Sequence, residues 1–268
     1  MIYDCFPFFN ELDLLEIRLH EHTKFADKFI ITEANKTHSG IIKPFLFEQN
    51  IERYKEFKDK IVYLKLIYDD NNLPPTNLRQ GHDLTCRRDD LQKDYPRHYL
   101  HTLNLKDDDI IVNSDLDEIV DAQKFLQIVK LLDNHSIVRC LQKTLVYKLN
   151  ILLQDYDVTG FDGPKISKWN YMKRHNWTDL RLHLGEEQYP VKCGWHFTYI
   201  GENARSVLIK LKSYSHWNDF VNVKTEEDAM NALVKMLNIN LEKSTVTIDE
   251  TFPCYLKNNI NKFKKFIL

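Results

Sequence analysis

The chain has 268 residues, of which 43% are hydrophobic and 28% charged, the balance of a globular protein large enough for one sizeable α/β core and unlike that of a disordered one. A formal net charge of -2 excludes a global field that would recruit nucleic acid or an acidic membrane, and the apolar runs are strand-sized, well below the roughly 20 residues a membrane-spanning helix needs. The five cysteines are scattered and never spaced as CxxC, which predicts small buried hydrophobes in a reducing compartment, not a disulfide framework.

In chain order, Ile2 to Cys5 reads as a strand that runs into an aromatic loop, Phe6-Pro7-Phe8-Phe9. This opening lacks the basic start and apolar centre of a signal peptide, so a soluble, cytoplasmic chain is expected. Asn10, with Asp13 three residues on, has the spacing of a helix cap, and Leu12, Leu15 and Leu19 mark one apolar face of the helix that follows. Lys28 to Thr32 is the next strand, Glu48 to Lys58 a helix, and Ile61 to Ile67 a third strand. The Asn- and Pro-rich stretch from Asp69 to Asn77 is a loop, and a helix is expected from about Gln80 to Tyr95. Ile110 to Asn113 then completes an alternation of strands and helices that predicts an open, mostly parallel sheet.

The second half is less regular. Ile137 to Leu141 and Thr144 to Leu149 are candidate paired strands, Gly160 to Pro164 is turn-rich, and residues 168 to 190 show no clear periodicity. Lys192 to Ile200 reads as a strand and Glu202 to Tyr214 as a helix. Thr225 opens a helix to about Leu237, its acids at 226 to 228 suiting the positive N-terminal dipole. A basic helix, Tyr255 to Ile267, ends the chain. With no repeat and no linker, residues 1 to 268 are expected to form one domain, a donor half to about 120 and an acceptor half beyond it.

The strongest chemical signal is Ile110-Ile111-Val112-Asn113-Ser114-Asp115-Leu116-Asp117-Glu118. An apolar strand runs out into two acids one residue apart, and alternating extended backbone points Asp115 and Asp117 to one side. Such hard oxygen donors suit Mg²⁺ or Mn²⁺, and the carboxyl edge of an open parallel sheet is where ligands bind. A solvated acidic turn, or acids opening a helix, accounts for the same letters. Glu118 fits either the site or such a helix start, whereas Asp107-Asp108-Asp109, at the opposite end of the strand, reads as a solvated turn. Few glycines and no GxGxxG close the glycine-rich route to nucleotide phosphates.

The residues from Tyr3 to Arg18 (YDCFPFFNELDLLEIR) resemble the opening of glycosyltransferase family 17, the bisecting GlcNAc-transferase family. Matches follow in order at Glu33 to Thr37, Lys106 to Ile111, Ser114 to Ile119, Gly194 to Phe197, Lys210 to His216 and Pro253 to Asn259. Residues 140 to 190 match least. Where the family often has Pro and Trp, this chain has Val120 and Cys86. The resemblance implies a GT-A type α/β fold: an open mixed, mostly parallel sheet flanked by helices, with a Rossmann-like core that binds a nucleotide sugar. It further implies a UDP-sugar donor, with UDP-GlcNAc the first choice, a glycan or glycoconjugate acceptor, Mn²⁺ or Mg²⁺ as cofactor, and an inverting hexosyl transfer. Two other classes use the same residues differently: a metal-dependent nucleotide-sugar phosphoester hydrolase, and a non-catalytic carbohydrate-binding protein.

On that resemblance Asp115 and Asp117 are the expected metal ligands, Asp115 touching the donor as well. His196 is the expected third ligand, with His216 its rival. Arg88 is placed to pair with donor phosphates, or to lie on a solvated helix face. Phe6, Phe8 and Asn10 follow the first strand, where such a fold accepts the nucleobase; core packing is the alternative for the phenylalanines. Glu33 and Asn35 either line the donor site or cap a turn. For the catalytic base, Glu202 stands at a helix start beyond the late strand, with Asp179, Glu186 and Glu187 as rivals.

Overall fold

The computed structural model describes residues 1–75, 84–154, 162–182 and 188–268. The first part of the chain runs β1 (Ile2–Phe8), α1 (Leu12–His22), β2 (Lys28–Ala34), α2 (Leu46–Gln49), β3 (Ile61–Leu66), α3 (Leu84–Leu100), β4 (Ile110–Asn113) and β5 (Glu118–Ile119). The second continues with α4 (Phe125–Leu131), β6 (Ile137–Val146), β7 (Leu152–Gln154), β8 (Asp162–Lys168), α5 (Trp169–Met172), α6 (Trp177–Arg181), β9 (Tyr189–Thr198), α7 (Ala204–Ser213), α8 (Glu226–Leu237) and α9 (Cys254–Asn258).

The described strands form one sheet in the order β3-β2-β1-β4-β8-β6-β9-β5, with β7 beside β6. β3, β2, β1 and β4 are parallel, as is β6 with β9, while β8 lies antiparallel to both β4 and β6. The sheet is therefore mixed, not mostly parallel, because the return strand β8 inserts between the parallel unit and the later strands. Among the described residues no helix is long and apolar enough to cross a membrane.

Side chains of β1 alternate as extended backbone requires. Phe6 and Phe8 pack with Leu15 and Leu19 of α1 and with Phe263 and Phe266 near the C-terminus, whereas Tyr3 and Cys5 join Leu100, Trp169 and Trp177. Beyond the sheet, α7 and α8 pack through Val207, Leu211, Ala229 and Leu233. Helix α8 opens with a capping box, Thr225 and Asp228 each accepting from the other's backbone, as its acidic start suggests.

Several boundaries move. The aromatic residues Phe6 to Phe8 extend β1 and are not loop, and Asn10 caps nothing: Glu11 precedes α1 without a side-chain cap bond. The expected helix over 48 to 58 is the short α2 followed by a 3₁₀ segment, Ile51–Phe57, and the basic tail is α9 followed by a 3₁₀ segment, Ile260–Phe266. The paired strands expected over 137 to 149 are the single strand β6; of the turn expected over 160 to 164, residues 162 to 164 open strand β8 and 160 and 161 lie outside the described residues. Cys140 and Cys193, on neighbouring strands β6 and β9, form a disulfide with Cα atoms 5.5 Å apart, which corrects the expectation of isolated thiols. Local spacing gave no sign of it because the pairing spans 53 residues.

Candidate functional site

A cavity of about 570 Å³ opens at the carboxyl ends of β1, β2 and β4. Strand order reverses between β1 and β4, which leaves a crevice there in an open sheet. Phe8 at the end of β1, with Phe9 and Glu11 after it, forms one wall, Asp115 to Asp117 after β4 the floor, and Asp89, Gln92 and Lys93 of α3 a second wall. His196 and Tyr199 at the end of β9, with Lys210 and Tyr214 at α7, close the far side. Tyr199 sits at φ +53, a left-handed conformation that costs a non-glycine residue energy and is held by its surroundings.

The acidic floor is built from underneath. Asp4 faces α1, where Arg18 and His22, one turn apart, meet it. All three side chains are fully buried. Arg18 forks onto Asp4 (Nε 3.0 Å, Nη2 2.6 Å) and gives Nη2 also to Ser114 Oγ. Its Nη1 reaches the carbonyls of Asp115, Leu116 and Glu118 at 2.8, 3.1 and 2.9 Å. The guanidinium thus ties the turn carrying both acids to the first strand, and its buried charge is fully met. His22 Nε2 accepts from the backbone N–H of Val120 at 2.8 Å, so the proton is on Nδ1, donated to Asp4. Burial would raise the Asp4 carboxyl, but Arg18 and His22 outweigh it and hold it at about 2. Burial lowers His22 against the pull of Asp4, keeping the ring neutral.

Above this floor the acids meet cations. Asp115 Oδ2 accepts from Arg181 Nη2 at 2.9 Å, with Lys93 Nζ at 3.4 Å. Arg181 comes from α6 and also forks onto Glu118 at 2.6 and 3.0 Å. Burial pushes Asp115 up, and Arg181 with Lys93 pulls it down to about 2. Asp117 Oδ2 pairs with Lys210 Nζ at 3.0 Å, and its Oδ1 lies 3.9 Å from His196 Nε2. Burial favours protonation of Asp117, yet Lys210 and His196 bring it below its ordinary value. Burial lowers His196 also, so the ring is neutral and its Nε2 able to face a cation.

Asp115 Oδ1 is a buried carboxylate oxygen with no hydrogen-bond partner. Asp117 and His196 line the same cavity. Among the described residues no three His, Cys, Asp or Glu groups come together so as to hold a metal ion. A small divalent ion needs no such trio: Mg²⁺-type sites take one or two carboxylates and complete the shell with substrate phosphates. The two carboxylates are what such a site would ask of the protein.

The other expected site residues divide sharply. Glu118 opens β5, not a helix; its carboxylate accepts from the Asp115 N–H and anchors Arg181. Phe6 is fully buried in the core beneath the Arg18 guanidinium, where a phenyl ring contributes about 2 kcal/mol by burial. Phe8 reaches the cavity wall, and Asn10 stands exposed outside it. Glu33 is saturated by Lys43 Nζ, the Tyr63 hydroxyl and the N–H groups of Leu46 and Phe47, so it fixes the start of α2. Asn35 accepts from the Tyr68 N–H and likewise orders a turn. Arg88 bonds Asp70 and the His38 carbonyl, shaping the loop over the cavity without lining it. His216 lines the cavity, its ring 5.8 Å from that of Tyr214. Glu202 turns to solvent, its side chain 57% exposed and 3.7 Å from Lys265, because Asn203 and not Glu202 caps α7. Asp179 lies on α6 away from the cavity lining, and Glu186 and Glu187 lie outside the described residues.

His196 reaches the cavity through Gly194. That glycine has φ +89, and a β-carbon there would meet the Ile119 carbonyl oxygen, so only glycine lets β9 close against β5. His196 then pairs with Glu118 across the strands, while Trp195 turns to the core and donates to the Thr251 carbonyl at 2.9 Å.

A family model described as Glycosyltransferase family 17 matches residues 1–268. The curated human protein named β-1,4-mannosyl-glycoprotein 4-β-N-acetylglucosaminyltransferase is 28% identical over 244 residues, covering 79% of this chain and 43% of that protein. The rat protein of the same name gives the same identity and coverage. The chain thus spans less than half the length of these relatives. Among solved structures, S. aureus TarS 1-349 aligns over 88% of this chain and 82% of its own, at 11% identity and a TM-score of 0.37. A longer TarS structure aligns over 88% of this chain and 43% of its own, at 8% identity and a TM-score of 0.39.

Proposed function

The chain belongs to glycosyltransferase family 17, and from that premise we propose that its cavity moves a sugar, GlcNAc before others, from a UDP-sugar to a hydroxyl of a glycan or glycoconjugate acceptor, with inversion at the anomeric carbon. One observation carries the reading: an orphaned carboxylate oxygen on Asp115 stands beside Asp117 on the floor of a cavity at the reversal of strand order. The parallel unit β3-β2-β1-β4 with β8 set antiparallel beside it supports a GT-A type arrangement. The names of the relatives support GlcNAc as the sugar.

Asp115, Asp117 and His196 are the residues to hold Mn²⁺ or Mg²⁺ against the donor. Such an ion supplies positive charge for the departing nucleoside diphosphate. Phe8 and Phe9 offer aromatic surface for the base at the β1 end of the cavity. An inverting transfer needs a carboxylate to take the acceptor proton, and besides the floor acids the cavity is lined by Glu11 and Asp89. Asp89 is held by Lys93 at 3.1 Å and by the Ser215 hydroxyl at 3.1 Å.

Calorimetric titration with UDP-, GDP- and CMP-sugars in the presence of Mn²⁺ tests the donor. UDP-GlcNAc is expected to bind and to raise the unfolding temperature by mass action. Tight binding of a GDP- or CMP-sugar, with none of UDP, would overturn the assignment.

A further inference from the structure

The cations over the acidic floor are not alike. Arg181 is clamped: its guanidinium forks onto the fully buried Glu118 as well as meeting Asp115, so moving it away would strand that buried carboxylate too. Lys210 is held differently. Its ammonium lies between two cavity acids, 3.0 Å from Asp117 Oδ2 and 3.3 Å from Glu11 Oε1. The side chain is 26% exposed, and it projects from α7 on a flexible four-carbon stem. Glu11 gives the ammonium a second seat beyond the floor.

An ammonium on Asp117 Oδ2 and a divalent cation on its Oδ1 would repel one another across a single carboxylate. A metal at Asp117 therefore favours a shift of the ammonium to other negative charge nearby. A nucleoside diphosphate brings that charge into the same cavity. We infer that Lys210 is an exchangeable counter-ion: it neutralises Asp117 until a divalent cation claims that carboxylate, and it then passes to the diphosphate of the nucleotide. This rests on the reading of the cavity as a nucleotide-sugar and metal site.

The exchange couples the two ligands. Alone, a divalent ion displaces Lys210 and brings nothing to receive it. With the nucleotide, the displaced ammonium gains a partner, so each ligand tightens the other by the same factor.

The test uses Mn²⁺ alone, and Mn²⁺ with UDP, followed by calorimetry and by the electron paramagnetic resonance of free Mn²⁺. In the wild type, UDP is expected to tighten Mn²⁺ binding by about 10-fold or more, within the usual range of coupling between sites. Lys210→Met should bind Mn²⁺ alone more tightly than the wild type and show a smaller gain from UDP. Lys210→Arg keeps the charge and should not gain affinity for Mn²⁺ alone. Glu11→Gln removes the second seat, so the ammonium holds Asp117 harder and Mn²⁺ alone should bind more weakly. Unchanged or weakened Mn²⁺ binding in folded Lys210→Met overturns the exchange while leaving the metal site standing. So does tighter binding in Glu11→Gln, which decides the matter even where Lys210→Met does not fold. A wild type that binds no Mn²⁺ even with UDP removes the metal reading itself, and the exchange with it.

Discussion

The two sides of the acidic turn are built to opposite rules. Below it, Asp4, Arg18 and His22 are fully buried, and every strong donor of the guanidinium has an acceptor. Above it, the same turn faces a cavity in which Asp115 keeps an orphaned oxygen and Asp117 shares a partly exposed lysine with Glu11. A saturated buried network is rigid because each broken bond strands a charge. A front of ions reached by a cavity can change partners where an incoming charge replaces the one that leaves. The molecule fixes where its acids stand and leaves open what they hold.

The sharpest way to break that comparison is to remove the lower clamp. Arg18→Met strands Asp4 and several carbonyls in the interior and should cost about 3–5 kcal/mol of stability, measured by urea unfolding. A loss below about 1 kcal/mol, the scale of an exposed pair, would mean that the floor is no clamp. Asp117→Asn probes the upper side. Transfer from UDP-GlcNAc should fall by more than about 10²-fold, beyond what losing a mere outer-shell partner costs, with the unfolding midpoint little changed.

Acid loads both sides of the turn alike, since burial lowers His196 above it as it lowers His22 below. His22 has a folded pKa below its ordinary value, so below pH 6.5 the unfolded chain takes a proton that the folded one refuses, and stability falls with pH. Asp4 adds to the same trend lower down: its contribution is complete above the ordinary carboxylate pKa of 3.8 and is lost as pH falls toward about 2. Each uncompensated proton steepens the fall by up to about 1.4 kcal/mol per pH unit. Unfolding midpoints recorded from pH 8 to pH 4 should decline below 6.5, and a flat profile would contradict a neutral His22. The smallest effect belongs to Glu202→Gln. An exposed acid at the edge of α7 should change stability by no more than about 0.5 kcal/mol and leave transfer near wild type. A loss of about 10²-fold would return Glu202 to the role its position in the chain suggested.

Much of the fold was legible without coordinates. The strands β1 to β4 and the opposite facing of Trp195 and His196 follow from period-two alternation. Strong apolar runs fix such local geometry whatever surrounds them. Asp115 and Asp117 do line the cavity, but from a turn closed by the Glu118 N–H on the Asp115 carbonyl and not from extended backbone. Sequence reading failed where one letter serves several environments. Glu33, Asn35 and Arg88 carry groups that suit a ligand, yet their hydrogen bonds are consumed in ordering turns. Nothing in the sequence singles out Arg181, and Lys210 only opens a stretch that resembles the family; folding brings them to acids 66 and 93 residues away. The same holds for Cys140 and Cys193, and for β8, whose antiparallel insertion beside β4 no local pattern required. Sequence alone thus determined the course of strands β1 to β4 and the opposite facing of Trp195 and His196, because backbone stereochemistry acts between neighbours in the chain. Tertiary structure decided which charges neutralise the acids and which stay exchangeable, because burial and Coulomb attraction act between neighbours in space.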